Sequence, residues 1–398
     1  MQRRWVVLGA LVVLILTVQG AGRPAASQEQ AGATAQAGAA SAQDDPVRTL
    51  VGRLDLEKYK ATIKGLTQFG DRRQGTERNR AANDWIEAQL KSYGCSDIGR
   101  IKYEYASAAR TGGAGGTGAA TGAAGSGRAN AAGAAGATGR GGTGAASGQA
   151  AAGQGRGRGS GTPIKGNRVP TGVNNDPLKQ PDVKLRELDM QPTTPGSREE
   201  VYCTKIGSTH PEEMYIISGH MDGLGYSEAA NDYGSGTALV MELARILNAP
   251  DVKTDRSIRF VLWNNEETGL NGARAYVAQR AALQGKEDPP NSGKYPEPKW
   301  LGVVAHDMMM FDHGMPGPDG KLPAEQRPEA DVNIEFAANS KMGAQSQEFA
   351  WQFKAANDRY ATDYPAVVGN RMSNTDSAAY QDVVASDSLR EAERQSKV

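Results

Sequence analysis

Groups of histidine and acidic residues recur in this sequence at the ends of apolar runs, between residues 214 and 308. Their members are His220, Asp222, Asp232, Glu266, Glu267 and Asp307. Imidazole nitrogens and carboxylate oxygens are donors that hold zinc and similar divalent cations. A cation with one open position can activate water, and a neighbouring carboxylate can then accept the proton. These residue types therefore favour metal-assisted hydrolysis.

The spacing within the first two groups allows such a site but also has simpler interpretations. In an extended chain, residues two apart point the same way, so His220 could bind a metal while Asp222 orients it. An ordinary turn would also contain such residues. Asp232 precedes Gly234-Ser-Gly236, where a helix N-terminus could present a carboxylate to a cleft. A helix cap is the alternative for Asp232.

Glu266 and Glu267 follow a fully apolar strand-like run. Two adjacent acids at this position repel each other and lose hydration unless a cation compensates them. Because adjacent side chains diverge, one could bind metal while the other accepts a proton. The alternative is a helix that simply begins with acidic residues.

Strand and helix patterns alternate around these groups. Apolar runs predict strands at 214–219, 257–263 and 301–306, and helical periodicity predicts helices at 235–248 and 268–282. This βαβαβ order favours a mostly parallel sheet with helices on both faces. Ligand-type residues then fall where strands end, which is where open α/β sheets build sites. Further helices are predicted from about Pro46 and over 76–92, strands over 97–105 and 332–336, and a last helix over 346–360.

Taken together, the groups closely resemble the M28 family of zinc aminopeptidases. The resemblance rests on three runs and on His306-Asp307-Met308. The runs are Ile217-Ser-Gly-His220-Met-Asp222, Ala230-Asn-Asp232-Tyr-Gly-Ser-Gly236 and Phe260-Val-Leu-Trp-Asn-Asn-Glu266-Glu267-Thr-Gly-Leu270. It covers roughly residues 55–105 and 200–390. The fold it implies is a three-layer αβα arrangement with a mostly parallel mixed central sheet, as in zinc exopeptidases.

The resemblance also implies roles for individual residues and two zinc ions. His220 and Asp307 would hold one ion, Glu267 the other, and Asp232 would bridge both. Glu266 would be the general base, and Asp222 would orient His220. Asp376 lies in a segment similar to the family's Ser-Asp-His-x-x-Phe. It would at most contact the zinc ligands without binding zinc itself.

One feature of the family pattern has no counterpart in this sequence. The family's last zinc ligand is a histidine in a His-Thr-x-x-Asp context, but no histidine follows His313 here. The zinc of Glu267 would then have only Glu267 and the bridge of Asp232 from the protein. His313 could replace the missing ligand only if its loop folds back. His306 should point away from its neighbour Asp307 and be packed or hydrogen-bonded, and His210, beside Pro211, should lie in a surface turn.

Changes in amino-acid composition along the chain predict how it is divided into segments. A basic start, an apolar run from Trp5 to Leu16 and small residues near Ala21 predict a signal peptide over 1–27, hence secretion or a periplasmic location. An uncleaved anchor is the alternative. A linker is predicted over 28–46, a helical part of the catalytic domain over 47–106, a disordered Gly/Ala-rich insertion over 107–170, and the M28-like domain over 171–398.

Charge and cysteine content limit the partners. The net charge is zero among 398 residues, which gives no indication of nucleic acid or of a membrane once the signal is removed. A peptide is the expected substrate. Cys95 and Cys203, the two cysteines, could form a disulfide in an exported chain or remain as two buried thiols.

The leading hypothesis is an exported zinc aminopeptidase in which Glu266 is the general base. Two alternatives remain. One is a single-zinc enzyme that cyclises N-terminal glutamine. The other is a binding protein, or a shortened product, in which the missing histidine leaves little or no activity.

Overall fold

A computed structural model describes residues 45–105, 174–310, 332–338, 340–362, 365–370 and 376–380. These residues all belong to one compact unit. The predicted signal peptide, the predicted Gly/Ala-rich insertion and His313 lie outside them, so the calls on those segments stay predictions. Within the part that is described, no helix is both long enough and apolar enough to cross a membrane.

Three helices precede the sheet, and each begins at a capping side chain. They are α1 (Pro46–Val51), α2 (Leu56–Thr67) and α3 (Glu77–Ser92). The side chains of Asp45, Asp55 and Thr76 accept hydrogen bonds from main-chain N–H groups of the first turns, which satisfies groups that a helix leaves unpaired. Asp45 and Pro46, the last two residues of the predicted linker, therefore belong to α1 and its cap.

The central sheet has five strands in the described residues. They are β1 (Asp97–Tyr105), β2 (Gly196–Lys205), β3 (His210–His220), β4 (Arg256–Trp263) and β5 (Lys299–Ala305). Their order is β1-β2-β4-β3-β5. β4, β3 and β5 are parallel to one another, whereas β1 with β2 and β2 with β4 are antiparallel. The predicted α/β fold with a mixed sheet is confirmed.

Two helices lie on opposite faces of this sheet. α5 (Gly236–Leu247) packs with α2 and α3 against one face, in a core that includes Ile217 and Phe260. α6 (Asn271–Arg280) packs against the other face, in a core that includes Ile216 and Val261. Neighbouring residues of a strand point to opposite faces, so both faces are covered and the three-layer arrangement is confirmed.

The remaining elements flank this core. They are α4 (Val183–Asp189), α7 (Gly343–Tyr360), the strands β6 (Val332–Phe336) and β7 (Ala366–Asn370), and 3₁₀ turns at Pro177–Lys179, Ala281–Leu283 and Asp376–Tyr380. β6 and β7 pair in parallel as a separate two-stranded sheet. Phe353 of α7 is buried and packs near Ile334 of β6.

Cys95 and Cys203 form a disulfide across 108 positions of sequence. Cys95 follows α3 and Cys203 lies in β2, so the bond ties the helical N-terminal part to the sheet. Of the two interpretations left open by the sequence, the structure has the disulfide.

The predicted strands agree with the structure to within two residues, except at the start of β3. The prediction placed a turn at His210 and Pro211, but β3 already begins at His210, which pairs with Arg256 of β4. Ser257 donates its hydroxyl to the carbonyl of Pro211 at 3.0 Å. Pairing with β4 therefore overrides the turn preference of this dipeptide, and the turn prediction is wrong.

Candidate metal centre

Parallel strand pairing brings the predicted site residues to one edge of the sheet. His220, the last residue of β3, is opposite Trp263, the last residue of β4. Ser218 of β3 is opposite Ala305, the last residue of β5. The segments that follow these strands carry Asp222, Glu266 with Glu267, and Asp307. The carboxyl ends of three neighbouring strands thus form the floor of the site.

Three of the predicted ligands converge there. His220, Asp232 and Glu267 each offer one ligand atom, and these atoms lie within 4.8 Å of one another. Nε2 of His220 is 3.5 Å from Oδ1 of Asp232 and 3.8 Å from Oε2 of Glu266. One nitrogen and two carboxylate oxygens at such spacing fit a divalent cation of the zinc type.

The orientation of His220 is fixed by its other nitrogen and by a ring. Nδ1 lies 2.9 Å from the main-chain carbonyl oxygen of Asp222, and because a carbonyl only accepts, Nδ1 carries the hydrogen. In the neutral imidazole, Nε2 is then the nitrogen without a hydrogen, and it faces the carboxylates. The imidazole also stacks on Tyr233, with 4.1 Å between ring centroids. A metal-binding histidine held in one tautomer in this way is the usual arrangement.

The carboxylate of Asp222 has a different partner from the one predicted. Its Oδ1 is 3.7 Å from Nδ1 of His220 but accepts the main-chain N–H of Glu266 at 3.0 Å. Asp222 therefore orients His220 through its carbonyl and holds the Glu266 turn through its carboxylate. One residue connects the ends of β3 and β4.

Asp232 lies on an irregular helical turn, Ala230–Ser235, directly before α5. Ala229 enters this turn with φ 44°, a left-handed conformation that costs a non-glycine residue free energy and is often found at functional sites. Ser235 donates its hydroxyl to the carbonyl of Asn231 at 2.7 Å. Asp232 is therefore held by its own turn, and the N-cap position of α5 is occupied by Ser235, not by Asp232.

Asp307 is connected to this turn through the residues that follow it. Met309 donates its N–H to Oγ of Ser235 at 2.8 Å, and Met310 donates to Oδ1 of Asn231 at 3.0 Å. The charge of Asp307 also helps to raise the pKa of His220. Asp307 is thus close enough for its charge to act on His220, but it is not one of the three residues whose ligand atoms lie within 4.8 Å of one another.

Neighbouring acids shift the pKa values of the site strongly. Burial, and then the nearby carboxylates, raise the pKa of Glu266 to about 7 and that of Glu267 to about 9. Burial alone would lower the pKa of His220, but Asp222 and the carboxylates around it raise it well above the ordinary value. Acids crowded in this way would be balanced by a bound divalent cation, which favours their ionised form.

His306 has the packed role that the sequence predicted. It is buried, its Nδ1 lies 3.2 Å from the carbonyl oxygen of Ser218, and burial lowers its pKa to about 4. Asp376 is also buried, and burial followed by nearby carboxylates raises its pKa well above the ordinary value. His306 is thus packed against β3, and the charges of Asp376 and of the site carboxylates act on one another.

Sequence reasoning missed three buried residues of the site. They are Tyr233, which stacks on His220, and Arg72 and Asn79, which contact the ligand-bearing segments. Tyr233 stands next to Asp232 and could have been suspected from that position. Arg72 and Asn79 belong to the N-terminal helical part, and no local pattern distinguishes them there.

Comparison with known proteins finds a family whose model matches the segment that carries these residues. Residues 201–386 match the model of peptidase family M28, and the resemblance predicted from the sequence is confirmed. The matched segment contains every residue that the sequence nominated for metal binding or catalysis.

Individual relatives match over shorter stretches. Aminopeptidase YwaD of Bacillus subtilis is 33% identical over 118 residues, which are 29% of this chain and 24% of that protein. Carboxypeptidase Q of Homo sapiens is 34% identical over 70 residues, 18% of this chain and 15% of that protein. The alignments thus span a quarter or less of the length of these curated relatives.

Among solved structures, a glutaminyl cyclase of Porphyromonas gingivalis is similar with a TM-score of 0.41 and 14% identity. The likeness covers 83% of this chain and 80% of that chain.

Proposed function

We propose that this chain is an exported metallopeptidase that uses zinc to remove N-terminal residues from peptides. The observation that carries the proposal is the convergence of His220, Asp232 and Glu267 within 4.8 Å, with Glu266 beside them. The match to peptidase family M28 and the aligned segment of an aminopeptidase support the reaction class.

The roles of the residues follow from their positions. His220, Asp232 and Glu267 would hold a cation, with Asp307 as a further ligand. Zinc bound there would polarise the scissile carbonyl and make water more acidic. Oε2 of Glu266, 3.8 Å from Nε2 of His220, accepts the proton of the attacking water and returns it to the leaving amine.

Charge at the site agrees with a substrate that carries a free amino group. The site brings together carboxylates from four segments and one imidazole, so an ammonium group is attracted to it. This feature favours an aminopeptidase over an enzyme that binds a free C-terminal carboxylate, because two carboxylates would repel each other.

Export is supported by the N-terminal pattern and by the disulfide between Cys95 and Cys203. Disulfides persist in secreted and periplasmic proteins and are rare in the cytosol. A periplasmic or secreted location is therefore part of the proposal.

The matched pair Glu266→Gln and Glu267→Gln tests the proposal at the level of mechanism. Both changes remove one carboxylate charge from adjacent positions. We expect Glu266→Gln to lower kcat roughly 10²–10⁴-fold while zinc content stays unchanged, since only the proton acceptor is lost. Glu267→Gln should weaken zinc binding by about 10-fold or more, because it removes a ligand.

Zinc per chain is measured by elemental analysis, and turnover is measured with an aminoacyl anilide before and after chelation. Full turnover in Glu266→Gln would contradict its assignment as the base. Wild-type protein that takes up zinc but cleaves neither free nor N-blocked peptides would support a binding protein instead. Cleavage of N-blocked dipeptides alone would overturn the aminopeptidase assignment. Formation of a cyclised product from a glutaminyl peptide would show that the reaction is cyclisation and not peptide hydrolysis.

A further inference from the structure

Arg72 lies in the loop between α2 and α3 and is fully buried, with φ 51°. Among the described residues, every hydrogen bond that its guanidinium donates is accepted by a main-chain carbonyl. Nε donates to Met221 at 2.8 Å, Nη2 donates to Ala229 at 2.7 Å, and Nη1 donates to Glu228 at 3.0 Å. Nη1 also donates to two carbonyls near its own loop, those of Leu66 and Gly70.

These carbonyls belong to two of the segments that carry ligands. Met221 lies between His220 and Asp222, while Glu228 and Ala229 lead into the turn of Asp232. One planar cation therefore fixes the distance between the end of β3 and the Asp232 turn. Only arginine offers five donors in a rigid fork of this kind.

Asn79 extends the connection to the third segment. Its Nδ2 donates to the carbonyl of Arg72 at 2.7 Å and to Oδ1 of Asn264 at 3.0 Å. Nδ2 of Asn264 returns a hydrogen bond to Oδ1 of Asn79 at 2.9 Å. Oδ1 of Asn264 in turn accepts a hydrogen bond of 2.9 Å from the main-chain N–H of Asn265. Asn265 is the residue directly before Glu266. The amide pair thus ties α3 to the turn that carries Glu266 and Glu267.

We propose that Arg72 and Asn79 are positioning residues that hold the three ligand-bearing segments in the geometry required for a divalent cation. The inference rests on the proposed function in that it takes His220, Asp232 and Glu267 as ligands. Both residues precede the segment 201–386 that matches the family model. The N-terminal helical part is therefore a working component of the metal centre.

The charge of Arg72 suits this role. Burial lowers its pKa to about 10, and the charges of Asp71, Asp222 and Asp189 counteract that lowering, so the guanidinium stays cationic at neutral pH. Lysine in its place would keep the charge but concentrate its donors on one nitrogen. It could not reach the carbonyls of Met221 and Ala229 together, and the two segments would lose their common anchor.

The substitution Arg72→Lys tests the proposal, with Arg78→Lys as its control. Arg78 is equally buried in the same region, but its Nε and Nη2 bind Asp71, at 2.9 and 2.6 Å, and no ligand-bearing segment. We expect Arg72→Lys to bind Co²⁺ at least 10-fold more weakly and to lower kcat more than it changes KM. Arg78→Lys should keep its Co²⁺ affinity within about twofold of wild type, whatever its effect on thermal stability.

A second pair of variants covers the case in which Arg72→Lys does not fold. Asn79→Ala removes the amide pair, whereas Asn83→Ala removes a buried amide one turn along α3 that donates to the carbonyl of Glu199 at 3.1 Å. Weaker Co²⁺ binding and altered Co²⁺ absorption in Asn79→Ala, but not in Asn83→Ala, are the expected results. Equal losses in both members of a pair, or no loss in Arg72→Lys and Asn79→Ala, would overturn the proposal.

The Co²⁺ titration of the full-length wild-type chain separates this inference from the proposed function. A chain that binds Co²⁺ but cleaves no peptide contradicts the peptidase proposal alone, and the two variant pairs still decide the positioning role. A chain that binds no divalent cation contradicts both.

Discussion

His306 follows β5 beside the predicted ligand Asp307, yet its ring faces the protein interior. Burial lowers its pKa to about 4, whereas an exposed histidine titrates near 6.5. Between these two pKa values the unfolded chain binds a proton at His306 and the folded chain does not. The contribution of His306 to the free energy of unfolding is therefore fully present above about pH 6.5. It is lost progressively as the pH falls toward 4.

The size of this effect can be measured by substitution. Relative to His306→Gln, the wild-type chain should lose about 3 kcal/mol of unfolding free energy between pH 7 and pH 4, from a pKa difference of roughly 2.5 units. Urea denaturation in the presence of a chelator, at a series of pH values, gives both curves. If the two curves run parallel over this range, His306 is not the group responsible.

The sequence predicted the chemistry of single residues better than their partners. His220, Asp232 and Glu267 were nominated by residue type and by their place after strands, and they converge. Arg72 and Asn79 were missed because they act through main-chain carbonyls and an amide pair, which leave no periodicity or charge pattern in a sequence. Their role depends on which segments lie close in space, and that is known only from the fold.

At the scale of elements, the start of α5 depends on close approach to an aromatic ring. A Cβ atom added to Gly236 would overlap Oη and Cζ of Tyr233, the residue that stacks on His220. Glycine is required here by space, since its φ of −73° suits any residue. The beginning of a buried helix and the imidazole of the site are thereby packed against the same side chain.

We expect Gly236→Ala to destabilise the fold by about 3 kcal/mol or more and to weaken metal binding, because overpacking must displace Tyr233. Gly52→Ala is the matched control. Gly52 has a similar φ of −66°, and a Cβ atom there would meet its nearest neighbours at an ordinary 3.4 Å. Thermal denaturation and Co²⁺ titration compare the two. A Gly236→Ala chain as stable as Gly52→Ala would contradict the packing argument.

Element positions were largely predictable because apolar runs mark strands that are buried on both faces. The bounds of β1 and β6 agree with the prediction, and those of α3 agree to within one residue. The start of β3 was not predictable, because His210 and Pro211 have turn propensity and join the sheet only through contacts with β4. At this position, pairing with β4 overrides the local turn preference of His210 and Pro211.

At the scale of the whole molecule, one covalent bond joins the N-terminal helical part to the sheet. Cys95 and Cys203 are both buried, and they close a loop across 108 positions. A crosslink over so long a loop restricts the unfolded chain more than the folded one. The long segment between the two cysteines therefore does not loosen the connection between α3 and β2.

Replacing both cysteines by alanine should lower the unfolding free energy by about 2–4 kcal/mol. Reduction of the wild-type chain should cause a loss of similar size, since both treatments remove the same constraint. Urea denaturation with and without a thiol reductant measures both effects. A reductant that leaves the wild-type midpoint unchanged would show that the bond contributes nothing under those conditions.

The same bond decides what happens when the backbone is cut. Arg72 and Asn79 lie on the N-terminal side of Cys95, and the predicted ligands lie on the C-terminal side of Cys203. Proteolysis at any peptide bond from 96 to 202 therefore produces two polypeptides that remain one covalent molecule. A chain nicked there would migrate as two fragments on a reducing gel, while every residue of the candidate metal centre stayed in one covalent molecule.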